Sequence, residues 1–348
     1  MESMEDRLRE AYKTLDTNLD TLEMFERYYV FREEKKLEEV IEKTKLKKNA
    51  KFLIVGQGKC GKTTELLRIG YELKENHIPI YISSNFPSVN SIIFSIGLEI
   101  KNLTSSDIRP YIEFYNINIE NDVYKTAKEG LKNWWLTDAL KDIKTSSALK
   151  LVNGLLEELR VKRMEPLVLI DNIEKMKSEN AFYLLSELVP TINAKVFATA
   201  PIEAIYGDEW REMKNFIDEL IFYKPLRKEE YILLKDIFEK RGFADIIEEK
   251  ALKIAIESSG GLVGLCFSFI KDSSIKALSQ GIEKIDGTII NEVIEEKRTL
   301  WKNSLTENEK KKIKNIEKME QDTTFFSLLR NLYILDYFRE YEIHPLVR

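Results

Sequence analysis

Two cysteines, two histidines and no long apolar run set the first limits on this 348-residue chain. Cys60 and Cys266 lie in separate segments, and there is no second pair to build a disulfide framework or a zinc cage. With His77 and His344 alone, neither a histidine-rich metal centre nor a Ser–His–Asp hydrolase is expected. Neither sign of charge dominates: 54 Lys plus Arg against 59 Asp plus Glu leave a net charge of −5. That balance gives no global argument for nucleic-acid or anionic-membrane binding, although it leaves room for a local basic patch. The longest apolar run, around "GGLVGLCFSFI", falls short of the ~20 residues that cross a bilayer. The stretch "MESMEDRLREAYKTLD" is charged from its start and has no apolar signal core. The expectation is a cytoplasmic protein of a reducing compartment with no membrane partner.

What is present is the composition of a soluble globular chain, 43% apolar and 32% charged, with no internal repeat and no low-complexity segment. Its length predicts two or three domains. Residues 1–45 read as helical, with Leu37, Val40 and Ile41 at helical spacing. Five short apolar runs then follow, "KFLIVG", "IPIYIS", "PLVLID", "KVFATA" and "ELIFYK". Runs of this kind suit parallel strands covered on both faces. Helical stretches such as "KTTELLRIGYELKEN" and "NAFYLLSELVP" separate them, which predicts right-handed βαβ units in a three-layer α/β domain over 46–225.

A helical insertion is expected at about 101–160, carrying the adjacent Trp134 and Trp135, read as packing anchors or, less simply, a binding surface. From 226 to 285 the pattern is helical again, with glycines ending several helices. The segment 286–348 reads as helices followed by two strands around a tight turn in "YILDYFREYEIHPLV", the order of a winged-helix module.

The chemistry concentrates in "FLIVGQGKCGKTTELL". Gly56-Gln57-Gly58-Lys59-Cys60-Gly61-Lys62-Thr63 matches G-x-x-x-x-G-K-[ST] in full, with a strand before it and a helix after it. Such a loop turns backbone N–H groups toward phosphate oxygens, and the helix N-terminus adds partial positive charge. Lys62 is placed to bridge the β- and γ-phosphates of ATP and Thr63 to ligate Mg²⁺, with Thr64 the last of the candidate nucleotide-binding residues of the loop. Cys60 reads as a small loop residue. Downstream, Asp171 ends the apolar run of "EPLVLIDNIEKM", where a carboxylate at a strand's C-terminal end can hold the magnesium. The plain alternative is a helix cap.

On these motifs and their order the chain, over about residues 20–348, resembles an AAA+ ATPase, nearest to the origin-recognition-like and STAND branches. The resemblance implies a P-loop NTPase core with a parallel sheet, a helical lid and a C-terminal winged-helix-like module. "YYVFREEKKLEEVI" is similar to the segment that leads into those ATPases, where an Arg-Glu pair opens a helix and the chain covers the adenine; Tyr29 and Val30 are the matching candidates. The family pattern puts a glutamate directly after the magnesium aspartate, and here that position holds Asn172, which cannot accept a proton. Glu174 is the substitute candidate base, provided the strand runs on far enough to aim it; the alternative is a helix-start carboxylate. Thr199, at the end of "KVFATA", matches the γ-phosphate sensor, and its alternative is an ordinary strand threonine. Arg211, with Lys214 behind it, matches the arginine that such proteins present to a neighbouring subunit, which implies a homo-oligomer; its alternative is a surface arginine. In "ESSGGLVGL" the lid arginine of the family is replaced by Gly264.

The resemblance supports an oligomeric, Mg-dependent ATP hydrolase, a regulator or motor in a DNA-related or anti-phage defence process. Asn172 and the missing lid arginine support a STAND-like switch that binds ATP and hydrolyses it little. A small-molecule kinase, which also uses a phosphate loop, lacks support because no Arg-rich closing lid is present. Lys310, Lys311, Lys312 and Lys314 are flanked by Glu307, Glu309, Glu317, Glu320 and Asp322, which reads as a solvated charged helix. The segment "LLRNLYILDYF…YEIHPLV" resembles the terminal module of such ATPases, and the resemblance implies binding of protein, DNA or the chain's own ATPase domain. His344 reads as a structural residue at the hairpin end.

Overall fold

The computed structural model describes residues 3–15, 22–32, 35–83, 145–176, 178–206, 215–316, 320–337 and 340–348, with a few isolated positions between 92 and 100 and at 213. The elements run α1 (Met4–Thr14), α2 (Leu22–Tyr28), α3 (Lys35–Leu46), β1 (Lys51–Val55), α4 (Lys62–Leu73), β2 (His77–Ser83), α5 (Thr145–Val161) and β3 (Glu165–Asp171). After β3 come α6 (Ser178–Tyr183), β4 (Lys195–Ala200), β5 (Glu219–Phe222), α7 (Tyr231–Lys240), α8 (Glu249–Ser258), α9 (Val263–Gln280) and α10 (Gly287–Ser304). The chain closes with α11 (Glu307–Ile313), α12 (Thr323–Arg330) and the hairpin β6 (Ile334–Asp336) and β7 (Tyr341–Ile343). Its contacts divide it into two compact units, one of Glu34–Val55 and Glu65–Ile221, the other of Met1–Glu33, Gly56–Thr64 and Phe222–Arg348.

In the first unit the five apolar runs form one sheet in the order β2-β3-β4-β1-β5. The pairs β2–β3, β3–β4 and β4–β1 are parallel, so all of these strands end at one edge of the sheet. Every residue of β1 and β4 is buried, as the unbroken apolar runs require of strands covered on both faces. The core on one face joins Leu53, Val55, Val168 and Ile170 of the strands to Val152, Leu155, Leu156 and Leu159 of α5. On α3, Leu37, Val40 and Ile41 are buried together, one apolar stripe of an otherwise charged helix. The buried Arg68 on α4 ties that helix to α3 by pairing with Glu38, and it also bonds Glu72 at 2.6 Å.

The edge where the strands begin is closed by its own polar groups. Lys51 Nζ donates to the carbonyls of Ile192 and Ala194, and burial lowers its ammonium to about 8. Lys195 Nζ meets His77 Nε2 at 2.7 Å, and the other ring nitrogen of His77 faces the Leu73 carbonyl.

In the second unit, helices α7–α10 supply most of the frame, and α1 packs along α9 with Leu8 and Ala11 buried. Local sequence sets the ends. Ser3 and Asp6 form a capping box on α1, Asp286 caps α10, Thr306 and Glu309 box α11, and Asp322 caps α12. Helix α9 stops at Gly281, which adopts the left-handed conformation with φ 67°. The C-terminal order of helices and an antiparallel hairpin is the one the sequence pattern predicts, with Ile334 opposite Ile343. No described helix is long and apolar enough to cross a membrane.

Candidate functional site

The phosphate loop leaves the buried C-terminal end of β1, and Val55 lies level with Ala200 of β4. Lys59 and Gly61 both take positive φ, 64° and 107°, which curls the backbone between them into the type of concavity that presents N–H groups to an anion. Lys62 opens α4, and its ammonium donates to the carbonyls of Gly56 and Gln57, each at 2.9 Å. Thr63 and Thr64 follow in the first helical turn.

Tyr223 braces the loop. Its carbonyl packs so tightly on Gly56 that a β-carbon there would collide with it, so position 56 admits only glycine. The buried Cys60 thiol donates to the carbonyl of Gln57 at 2.9 Å and faces that of Tyr223 at 3.4 Å, which makes it a packed part of the loop. The guanidinium of Arg32 lies over the Tyr223 ring, 4.6 Å from its centroid, and donates to the Lys224 carbonyl at 3.1 Å. Arg32 belongs to the Arg-Glu pair seen in the sequence, but its stacking on Tyr223 has no sequence signal. Tyr29 and Val30, the candidates for the base, are half-buried beyond the end of α2, where the Tyr29 ring stacks on Phe25 at 4.4 Å.

Gln57 is the residue whose part the motif does not disclose. Its side chain is buried, and its amide nitrogen donates to the carbonyls of Leu329 at 2.9 Å and Ile334 at 2.7 Å. Its amide oxygen accepts from the Asp336 N–H at 2.9 Å. Gly264, at the position where a lid arginine was the expected residue, also touches the loop. Its N–H donates to the Lys59 carbonyl at 2.9 Å, and a β-carbon at 264 would lie 3.2 Å from the Lys59 β-carbon.

At the sheet edge the acidic candidates group together. Asp171 ends β3 and is buried, with Oδ2 accepting from the Tyr81 hydroxyl at 2.9 Å and from the Asn172 amide at 3.3 Å. The strand stops at Asp171, short of the extension that would aim Glu174 from the strand itself. Asn172 instead turns left-handed, φ 61° and ψ 23°, a conformation asparagine tolerates, and Ile173–Lys175 form a 3₁₀ turn. That turn carries Glu174 back to β4, where it accepts from Thr199 Oγ1 at 3.1 Å. Two residues chosen separately from the sequence are thus bonded to each other. Arg211, Lys214, Trp134 and Trp135 lie outside the described residues.

A metal in this fold would rest on few protein ligands. Among the described residues no cluster of three or more His, Cys, Asp or Glu side chains could hold an ion. Magnesium bound with substrate phosphates needs only one or two protein oxygens, and the oriented, buried Asp171 carboxylate is of the kind that meets that requirement. Cys266 is buried, and burial pushes its thiol up to about 12, which makes it an inert core residue.

No protein-family model matches the sequence, and none of the curated proteins does. Solved structures do. The ORC2 protein of Aeropyrum pernix, solved in ADPNP and ADP complexes, aligns over 94% of this chain and 95% of its own at 13% identity, with a TM-score of 0.53. The chain has the fold of an origin-recognition-like AAA+ ATPase. Two further solved structures align over similar lengths. Cdc6p of Pyrobaculum aerophilum covers 92% of this chain and 94% of its own at 14% identity and a TM-score of 0.48. The RuvB Holliday junction branch migration motor of Thermotoga maritima covers 93% and 94% at 13% identity and a TM-score of 0.44. The AAA+ fold accounts for the three-layer α/β core and its five-stranded sheet.

Proposed function

We propose that this chain is a Mg²⁺-dependent, ATP-binding AAA+ ATPase that acts as a nucleotide-controlled regulator or motor in a DNA-related or defence process. The observation that carries the reading is the Glu174–Thr199 hydrogen bond, which restores an oriented carboxylate where Asn172 has displaced the family's glutamate. The loop amides and Lys62 bind the triphosphate, and Arg32 stacked on Tyr223 holds the loop in shape. Asp171 and Thr63 would hold the magnesium, whose charge offsets that of the β- and γ-phosphates. Glu174 takes a proton from the attacking water, and Thr199 orients the carboxylate. Tyr29 and Val30 cover the base, with 226–285 as lid and 286–348 as a winged-helix-like reader of DNA, protein or the ATPase core itself. Arg211 serves a neighbouring copy in a homo-oligomer, where an added positive charge stabilises the transition state.

The test is steady-state phosphate release from ATP, with and without duplex DNA, for the wild type, Glu174→Gln and Arg211→Ala. DNA-stimulated turnover that both substitutions abolish supports the motor. A second reading, a STAND-like switch with little turnover, is favoured by Asn172 and by the hold of Gln57 on the C-terminal hairpin. It predicts no turnover in any of the three proteins, with an ATP-dependent change in size by light scattering.

A further inference from the structure

The phosphate loop carries a side chain that points at the protein's own C-terminal segment. The one primary amide of Gln57 is saturated by three backbone groups, two carbonyls and one N–H, all between Leu329 and Asp336. These positions span the last turn of α12 and the first strand of the hairpin. A planar amide that makes three bonds at 2.7–2.9 Å tolerates little displacement before one of them fails.

The two peptide units that flank the Gln57 α-carbon also hold the lysine. Lys62 Nζ donates to the carbonyls of Gly56 and Gln57, so an ammonium drawn onto a phosphate withdraws from both at once. The backbone that positions the Gln57 side chain then loses two charge-assisted bonds and readjusts. Elsewhere the hairpin is held by polar contacts that do not involve the loop. His344 Nε2 donates to the Ser259 carbonyl at 3.1 Å, and Arg227 pairs with Glu340. Gln57 thus links the hairpin to the loop through its own side chain.

We propose that Gln57 couples the phosphate loop to the C-terminal hairpin: nucleotide binding at the loop loosens residues 329–336, and the docked hairpin in return weakens nucleotide binding. This rests on the nucleotide reading above. Thermodynamic linkage makes the two effects equal in size, and coupling between sites is commonly about 5- to 150-fold in affinity. The hairpin is thereby loosened in proportion to nucleotide occupancy, by no more than the coupling factor allows.

The experiment uses the full chain. Hydrogen exchange of residues 323–348 is followed by mass spectrometry with and without a fluorescent non-hydrolysable ATP analogue, whose affinity is titrated in parallel, for wild type, Gln57→Ala and Gln57→Glu. In the wild type the analogue should speed exchange across 329–337. Gln57→Ala should exchange fast at 329–337 without nucleotide, show no further rise, and bind the analogue roughly fivefold or more tightly. Gln57→Glu keeps the acceptor for the Asp336 N–H but sets a carboxylate against two carbonyls, so it should move the same way; it replaces the alanine variant if that fails to fold. Tighter binding is decisive, because a glutamine with a purely structural part would weaken binding or leave it unchanged when removed. Wild type that binds the analogue without any change in exchange at 329–337, or a folded variant that binds with wild-type affinity, overturns the coupling alone. Wild type that does not bind the analogue overturns the nucleotide reading and the coupling with it.

Discussion

Thr199 Oγ1 donates to the Glu174 carboxylate across 3.1 Å, joining the C-terminal end of β4 to the turn that follows β3. Each residue alone admits an ordinary reading. Bonded together at the edge where the strands end, beside the oriented Asp171, they form a pair in which one side chain fixes the other's direction.

Removing the carboxylate's basicity without changing its shape should separate binding from chemistry. Glu174→Gln should slow ATP turnover by about 10²-fold or more while nucleotide affinity stays within roughly threefold. Thr199→Val keeps the volume, removes the donor and should slow turnover by about tenfold, since Glu174 loses its orienting bond. Phosphate release and analogue titration check both; a fall in affinity equal to the fall in turnover would make Glu174 a structural carboxylate.

The close approach of Tyr223 to the loop makes a stability prediction. Gly56→Ala places a methyl against the Tyr223 carbonyl and should cost about 2 kcal/mol or more, seen as a lower midpoint in urea, together with a loss of analogue binding. A variant with wild-type stability and affinity would mean that the loop and the Tyr223 backbone can part freely.

The buried His344 predicts how stability changes with pH. Burial, with Trp301 4.9 Å away, lowers its pKa from 6.5 to about 4, so the ring is neutral when folded and donates to Ser259. A depressed folded pKa means the unfolded chain binds the proton first. The stability it contributes is present above about 6.5 and is lost as pH falls toward 4, by roughly 3 kcal/mol in all. Urea midpoints measured at intervals between pH 7 and 4 should therefore fall more steeply for the wild type than for His344→Gln. Equal slopes would show that His344 titrates normally in the folded chain.

Much of the architecture is readable from residues because local pattern and global fold agree. The unbroken apolar runs became β1–β5, the 3.6-residue stripe of Leu37, Val40 and Ile41 became the buried face of α3, and "YILDYF" with "YEIHPLV" became the hairpin. What the sequence hides depends on backbone partners. Gln57 binds main-chain groups nearly three hundred positions downstream, which no residue pattern marks. The approach of Glu174 to Thr199 turns on a single left-handed asparagine, where a longer strand was expected. Gly264 reads in the sequence as a missing arginine; in the fold its N–H bonds the Lys59 carbonyl, and a β-carbon there would crowd Lys59.

Nucleotide binding by the loop from Gly56 to Thr63 through Lys62 can be read from ATP affinity measured for wild type and Lys62→Ala in the presence of Mg²⁺. Lys62 would add a full charge, beside that of Lys59, to the backbone dipoles of the loop. Wild type should bind ATP saturably, and Lys62→Ala should bind about 10²-fold more weakly while retaining the wild-type fold by circular dichroism. Equal affinity in the two proteins would contradict the account.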